Sequence, residues 1–181
     1  MRIVAGAWKG RVLTAPQGLE TRPTADRVRQ ALFDILLHAP WSGRSLIEGA
    51  SVMDVFAGTG ALGLEALSRG AARAVFVERS RPALTALRAN IAACKAGDRC
   101  EVLTMDALAL PIGPRVDIVF LDPPYGQGLV PKALTRLRAT GRIAKGTLIV
   151  AETGRDEPAP EDNPLAERAH GAARVTIWRA T

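Results

Sequence analysis

Cysteine is nearly absent from this chain of 181 residues: Cys94 and Cys100, six positions apart, are the only two. They give neither a zinc-ligand spacing nor a disulfide framework, so no metal is expected and both read as structural residues suited to a reducing cytoplasm. Long apolar runs are missing as well. No stretch approaches the roughly 20 residues of a membrane span, and no membrane partner is expected. The opening MRIVAGAWKG has no long apolar segment and no cleavage-like site, so no signal peptide is expected. Repeats and low-complexity tracts are also lacking.

What is present suits one globular domain, with 48% hydrophobic residues and length enough for a substantial core. The formal net charge is +6. Because 20 of the 24 basic residues are Arg in an Ala-rich chain, the total can be compositional, and its distribution says more. Residues 1–30 carry six basic side chains against Glu20 and Asp26, whereas the other 151 residues carry 18 against 16. The excess at the N-terminal end points to an acidic partner there.

RIVAG and RVLTAP read as two short strands around the turn AWKG. A helix is expected from about residue 25, capped by Thr24, with Val28, Leu32, Ile35 and Leu36 on its apolar face. Strands and helices then alternate: SVMDVF, ALGLEALSRG, AVFVE, the helix at 82–95, CEVLTMD, VDIVFLD, LVPKALTRLRATG and GTLIVAE. The polar loop RDEPAPEDNP leads into LAERAH and ARVTIWRA, expected as a terminal antiparallel pair. Such alternation predicts an α/β fold, a mostly parallel seven-stranded sheet with helices on both faces, plus the N-terminal β-hairpin. Ligands of such sheets bind at the carboxyl ends of the strands.

Those ends are where the acids fall. DVFAGTGALG follows the first strand, with Asp54 before Gly58, Gly60 and Gly63; Glu78, Asp106 and Asp122 close the next three. The glycines match the dinucleotide spacing, in itself a weak signal. Asp54 adds negative charge beside the glycine turn, which suits a cationic cofactor, S-adenosylmethionine, better than a pyrophosphate. Glu78, about 20 residues past the glycines, is placed to accept from ribose hydroxyls.

FLDPPYG offers acceptors and few donors. Asp122 and the carbonyl of Pro123 can take both protons of a planar exocyclic amine, and Pro123 and Pro124 present no competing N–H. Gripped in this way, the nitrogen turns its lone pair toward a methyl group, and the acceptor bonds strengthen as positive charge develops. Tyr125 offers a ring on which a flipped base can stack.

DVFAGTG with a later LDPPY resembles the Rossmann-like class I S-adenosylmethionine-dependent methyltransferases that modify exocyclic amines. RIVAGAWKGRVL, RPTADRVRQALFDIL, FAGTGALGLEALSRGA and LDPPYGQGL together closely resemble the RsmD family, from residue 2 to about residue 130 and more weakly beyond. The glycine turn and DPPY occur in many methyltransferases; the N-terminal pattern is the specific part. Gln30 and Asp34 stand where the family pattern leads one to expect Glu and Asn.

The resemblance implies methylation of the N2 amine of a guanine in 16S rRNA, on an assembled or nearly assembled small ribosomal subunit. It implies that Asp54, Phe56, Gly58, Gly60 and Glu78 hold S-adenosylmethionine, that Asp106 and Ala107 meet its adenine, and that Asp122, Pro123, Pro124 and Tyr125 receive the guanine. Residues 1–22 would form an RNA-contacting hairpin extension and residues 23–181 the methyltransferase domain. Lys9, Arg11, Arg22, Arg27 and Arg29 are the RNA-contact candidates. A cytoplasmic monomer is expected. Two other readings stay open: a DNA adenine or cytosine amino-methyltransferase, for which the chain has little room for a target-recognition segment, and a non-catalytic RNA-binding protein on the same fold.

Overall fold

The structure, a computed structural model, describes residues 1–16, 23–42 and 45–181, without the side chains of 23–25. The candidate Arg22 lies outside what is described, and Thr24, the expected cap, falls within the first helix, which already begins at Pro23. Seven strands form one sheet in the order β3-β2-β1-β4-β5-β7-β6. They are β1 (Ser51–Val55), β2 (Arg73–Glu78), β3 (Cys100–Thr104), β4 (Ile118–Leu121), β5 (Leu148–Gly154), β6 (Ala166–His170) and β7 (Ala173–Arg179). Strands β1 to β5 run parallel, and β7 pairs antiparallel with both β5 and β6. Strand order reverses between β1 and β4, where a ligand crevice opens in a doubly wound sheet.

The helices α1 (Pro23–His38), α2 (Ala61–Ser68), α3 (Arg81–Ala93) and α4 (Leu129–Ala139) cover the two faces. Period-2 alternation sorts the strand side chains. Val52, Phe76, Phe120 and Val150 pack with Leu32, Phe33 and Leu36 of α1, Leu64 of α2 and Leu87 of α3. Met53, Val77, Val119 and Ile149 pack against Leu134 and Leu137 of α4. Each such side chain contributes about 1.5–3 kcal/mol when fully buried. Helix α1 begins two residues before the expected start, with proline at its first position, where no N–H is needed. Gln30 and Asp34, the two departures from the family pattern, pair with each other at 2.6 Å.

The N-terminal segment departs from the expected pair of strands. Its two arms meet through the single bridge Arg2–Val12 and a few flanking bonds around a 3-10 turn, Gly6–Trp8. The reason lies in α2. Glu65, wholly buried, accepts the N–H groups of Val4 at 2.8 Å and Ala5 at 3.0 Å, so these amides are withdrawn from a ladder. Ser68 donates to the Ala5 carbonyl at 2.6 Å and accepts the Trp8 N–H at 3.0 Å. Asn90 of α3 binds both the N–H and the C=O of Thr14, at 2.7 and 3.0 Å. Ile3 and Leu13 enter the main core. At Gly6, with φ of +79°, a Cβ would stand 1.9 Å from the Ser68 carbonyl oxygen. Only glycine lets the segment lie this close.

Candidate active site

The carboxyl ends of β1, β2, β4 and β5 surround a cleft of about 910 Å³, which also takes in Asp106 and Ala107 just after β3. All the expected cofactor residues except Gly60 line it, as do Asp122, Pro123, Pro124 and Tyr125. Gly60 sits one layer back: its φ is +79°, and a Cβ there would meet Leu87 at 2.4 Å. Gly63 lies against the sheet, where a Cβ would meet Phe76 at 2.4 Å. These glycines bring α2 close to β1 and β2. Phe56 adopts a left-handed φ of 67°, a conformation that costs a non-glycine residue about 1–3 kcal/mol and is held here by the turn around it.

The acids order this turn. Asp54 is 2% exposed and accepts the Gly63 N–H at 2.9 Å. Burial pushes its carboxyl up to about 8 against the pull of that bond, and the charges of Asp122 and Glu78 add to the rise. Glu78 accepts the N–H groups of Gly58, Arg79 and Ser80 at 2.8, 2.8 and 2.7 Å. A carboxylate has about four acceptor directions, so Glu78 keeps one for a ribose hydroxyl rather than two. Asp106 caps its own turn through the Leu108 N–H at 2.9 Å and pairs with Arg79 at 2.6 Å.

This arrangement discriminates between cofactors. The amides of Gly58 and Gly63, which would cradle a pyrophosphate, already serve Glu78 and Asp54. The charges of Asp122 and Glu78 add to the proton affinity of Asp54, a strain that a cation relieves and a pyrophosphate worsens. The residues present fit a sulfonium- and ammonium-bearing cofactor.

Asp122 opens onto the cleft, yet protein walls crowd it: burial, with the charge of Glu152 added, pushes its carboxyl up to about 7. Tyr125 is 45% exposed, and its hydroxyl donates to Glu152, while burial and this bond raise its proton affinity. Glu152 on β5 is a site residue missing from the sequence reading. It closes the apolar run GTLIVAE two residues before β5 ends, so the rule that found the other four acids would have found it one strand further on. Glu157, which ties the Gly126 N–H to the Gly154 N–H, carries no such signal within its polar loop.

Among the basic candidates, Lys9, Arg11 and Arg27 are exposed. Arg11 donates to the Ala93 carbonyl at the end of α3. Arg29 is not on the surface. It is 5% exposed, pairs with Asp26 at 2.9 Å and Glu65 at 3.5 Å, and donates to the Arg2 carbonyl. The buried carboxylate of Glu65 demands a cation, and Arg29 supplies it. Among the described residues no helix is long and apolar enough to cross a membrane, and no cluster of three or more His, Cys, Asp or Glu could hold a metal ion.

A family model described as Conserved hypothetical protein 95 matches residues 1–178. Ribosomal RNA small subunit methyltransferase D of Escherichia coli is 41% identical over 155 residues, covering 84% of this chain and 74% of that protein. The Haemophilus influenzae protein of the same name is 36% identical over 187 residues, covering 99% and 93%. The solved structure of yhhF from Escherichia coli superposes with a TM-score of 0.83 at 37% identity, covering 99% of this chain and 97% of that one. An RNA methyltransferase from Salinibacter ruber, solved with S-adenosyl-L-homocysteine, shares the fold at 18% identity and a TM-score of 0.60, covering 89% and 93%. With a Rossmann-like α/β fold and a family match over nearly its whole length, the chain belongs to the Conserved hypothetical protein 95 family, the RsmD family of methyltransferases.

Proposed function

We propose that this protein is the S-adenosylmethionine-dependent methyltransferase of small-subunit ribosomal RNA, acting on the exocyclic N2 amine of a guanine in 16S rRNA. The observation that carries the reading is the placing of Asp122 and its two prolines in the same cleft as Glu78, Asp54 and the glycine turn. S-adenosylmethionine supplies an activated methyl group on a sulfonium. Glu78 and the Gly58 turn orient its ribose, and Asp54 and its neighbours balance its charge. Asp122 and the Pro123 carbonyl accept the two amine protons and aim the nitrogen lone pair; Tyr125 stacks the flipped base. S-adenosylmethionine held by these residues would supply the methyl group to N2, and the amine proton displaced by that transfer would pass to Asp122 or water. A carboxyl pushed up to about 7 suits that proton uptake near neutral pH.

The N-terminal segment, residues 1–22, serves as the RNA-contacting extension, with Lys9 and Arg11, joined by Arg27 of α1, as phosphate contacts; Arg22 keeps that role, and Arg29 is reassigned to holding the segment. The enzyme acts as a cytoplasmic monomer on assembled or nearly assembled small subunits. The test is methyl transfer from labelled S-adenosylmethionine to small subunits of a strain lacking the corresponding methyl group, with mass mapping of the product. Asp122→Ala should slow transfer by about 10²–10⁴-fold with cofactor affinity preserved. A label on adenine or cytosine, or full turnover by the variant, overturns the reading.

A further inference from the structure

Beside Asp122 stands a second carboxylate with a free oxygen. Strands β4 and β5 are in register with Leu121 opposite Ala151, so Asp122, just past the end of β4, stands beside Glu152, still within β5, and both line the cleft. One oxygen of Glu152 accepts the Tyr125 hydroxyl, and the other has no partner among the described residues. The charge of Glu152 reaches Asp122, where it adds to the burial that raises that carboxyl. Such a wall asks for a ligand edge with two neighbouring donors.

The Watson–Crick edges of the bases differ in this respect. Guanine sets its N1–H donor beside the N2 amine. Adenine and cytosine set an acceptor nitrogen beside theirs, which would face a carboxylate lone pair to lone pair. We propose that Glu152 is the specificity-determining residue that selects guanine, its free oxygen accepting from N1–H while Asp122 grips the N2 amine. This rests on the proposed amine-methylating role of the cleft. It also separates the protein from an adenine or cytosine amino-methyltransferase by chemistry rather than by resemblance.

2-Aminopurine tests the idea, because it keeps the amine at position 2 but carries an acceptor at N1. Small subunits are reconstituted with rRNA bearing guanine or 2-aminopurine at the target, and kcat/KM is measured for each. The wild-type protein should prefer guanine by at least about 10²-fold, the scale on which a site rejects an analogue lacking its hydrogen bond. Glu152→Gln, whose amide can donate to the acceptor nitrogen, should bring the two within about tenfold. Tyr125→Phe should leave the preference in place although Glu152 loses its bond to the hydroxyl. Equal loss of preference in both variants would make Glu152 a mere support for Tyr125, and an unchanged preference in Glu152→Gln overturns the proposal. If Glu152→Gln turns over neither base, 2-aminopurine fluorescence on binding decides: tighter capture of the analogue than by the wild-type protein is expected, and equal or weaker capture overturns it. Absence of guanine methylation by the wild-type protein would instead remove the proposed function itself.

Discussion

One oxygen of Glu157 accepts the N–H of Gly126 at 2.8 Å and, at 3.0 Å, also that of Gly154. It fastens the end of the Asp-Pro-Pro-Tyr turn to the end of β5. These bonds hold its carboxyl below the usual range, the Gly126 bond foremost, so the staple persists through the ordinary carboxylate range and opens only in stronger acid. Glu157→Ala should lower kcat about tenfold through a mispositioned Tyr125 and leave the cofactor Kd unchanged. Steady-state kinetics with calorimetric titration of S-adenosylmethionine checks this; a change confined to cofactor affinity would contradict it.

Cofactor binding should release protons. Asp54 keeps its proton up to about 8 in the folded protein, against 3.8 for an ordinary Asp, and Asp122 keeps its own up to about 7. The folded chain thus binds more protons than the unfolded one in this window, and its stability without ligand falls as pH rises from about 4 to about 8. A cation favours the ionised forms, so affinity should rise across about pH 6 to 8 and level off above. Titration in buffers of different ionisation enthalpy reads the released protons. Asp54→Asn should raise the Tm of the ligand-free protein at pH 8 by a few degrees while weakening the cofactor by about 10–100-fold.

Glu65 is the anchor of the N-terminal segment, holding two amides and the guanidinium groups of Arg29 and Arg69. Glu65→Ala strands a buried cation and two donors and should cost about 3–5 kcal/mol. Gly6→Ala, forced into the Ser68 carbonyl with a strained φ, should cost about 1–3 kcal/mol. Guanidinium denaturation measures both; an unaltered midpoint for Glu65→Ala would deny it the anchoring role.

If the N-terminal surface meets RNA phosphates, replacing Lys9, Arg11 and Arg27 together by Ala should flatten the slope of log K against log[salt] by about 2 to 3. Arg81 and Arg88 of α3, with Arg99 just beyond it, are one set of basic residues for comparison. The structure moves Arg99 into the surface under test: its guanidinium lies 5.0 Å from the Trp8 ring. Arg115, Arg138 and Lys145 are better placed, exposed and near the amino ends of β4 and β5, where Arg115 and Lys145 precede the strands and Arg138 falls in the last turn of α4. Replacing them should barely move the slope, and equal losses from both sets would make the basicity compositional.

The alternating core was legible because a buried parallel strand is an apolar run such as DIVFL and its end is marked by an acid. The strands lie within a residue or two of their expected ends, and the terminal antiparallel pair is where LAERAH and ARVTIWRA placed it. The N-terminal arms do pair antiparallel about their turn, but not as regular strands, because alternation cannot reveal that Glu65 and Ser68, about 60 residues away, would claim their amides. Arg29 misled for the same reason. Its charge reads as a surface feature until the buried partner is known.

Every polar tie of the N-terminal segment to α2 or α3 closes a long loop, from 60 residues at Ala5 and Trp8 to 82 at Arg11. Such contacts lose chain entropy before they gain anything, so they form after the local ones. During synthesis the arm emerges first, yet it has nothing to dock on until Asn90 has left the exit tunnel and α2 and α3 have packed on the sheet. The basic surface is thereby assembled last. A half-folded chain carries the positive charges without their arrangement, and the proposed hold on rRNA becomes available only to molecules whose methyl-transfer cleft is already built.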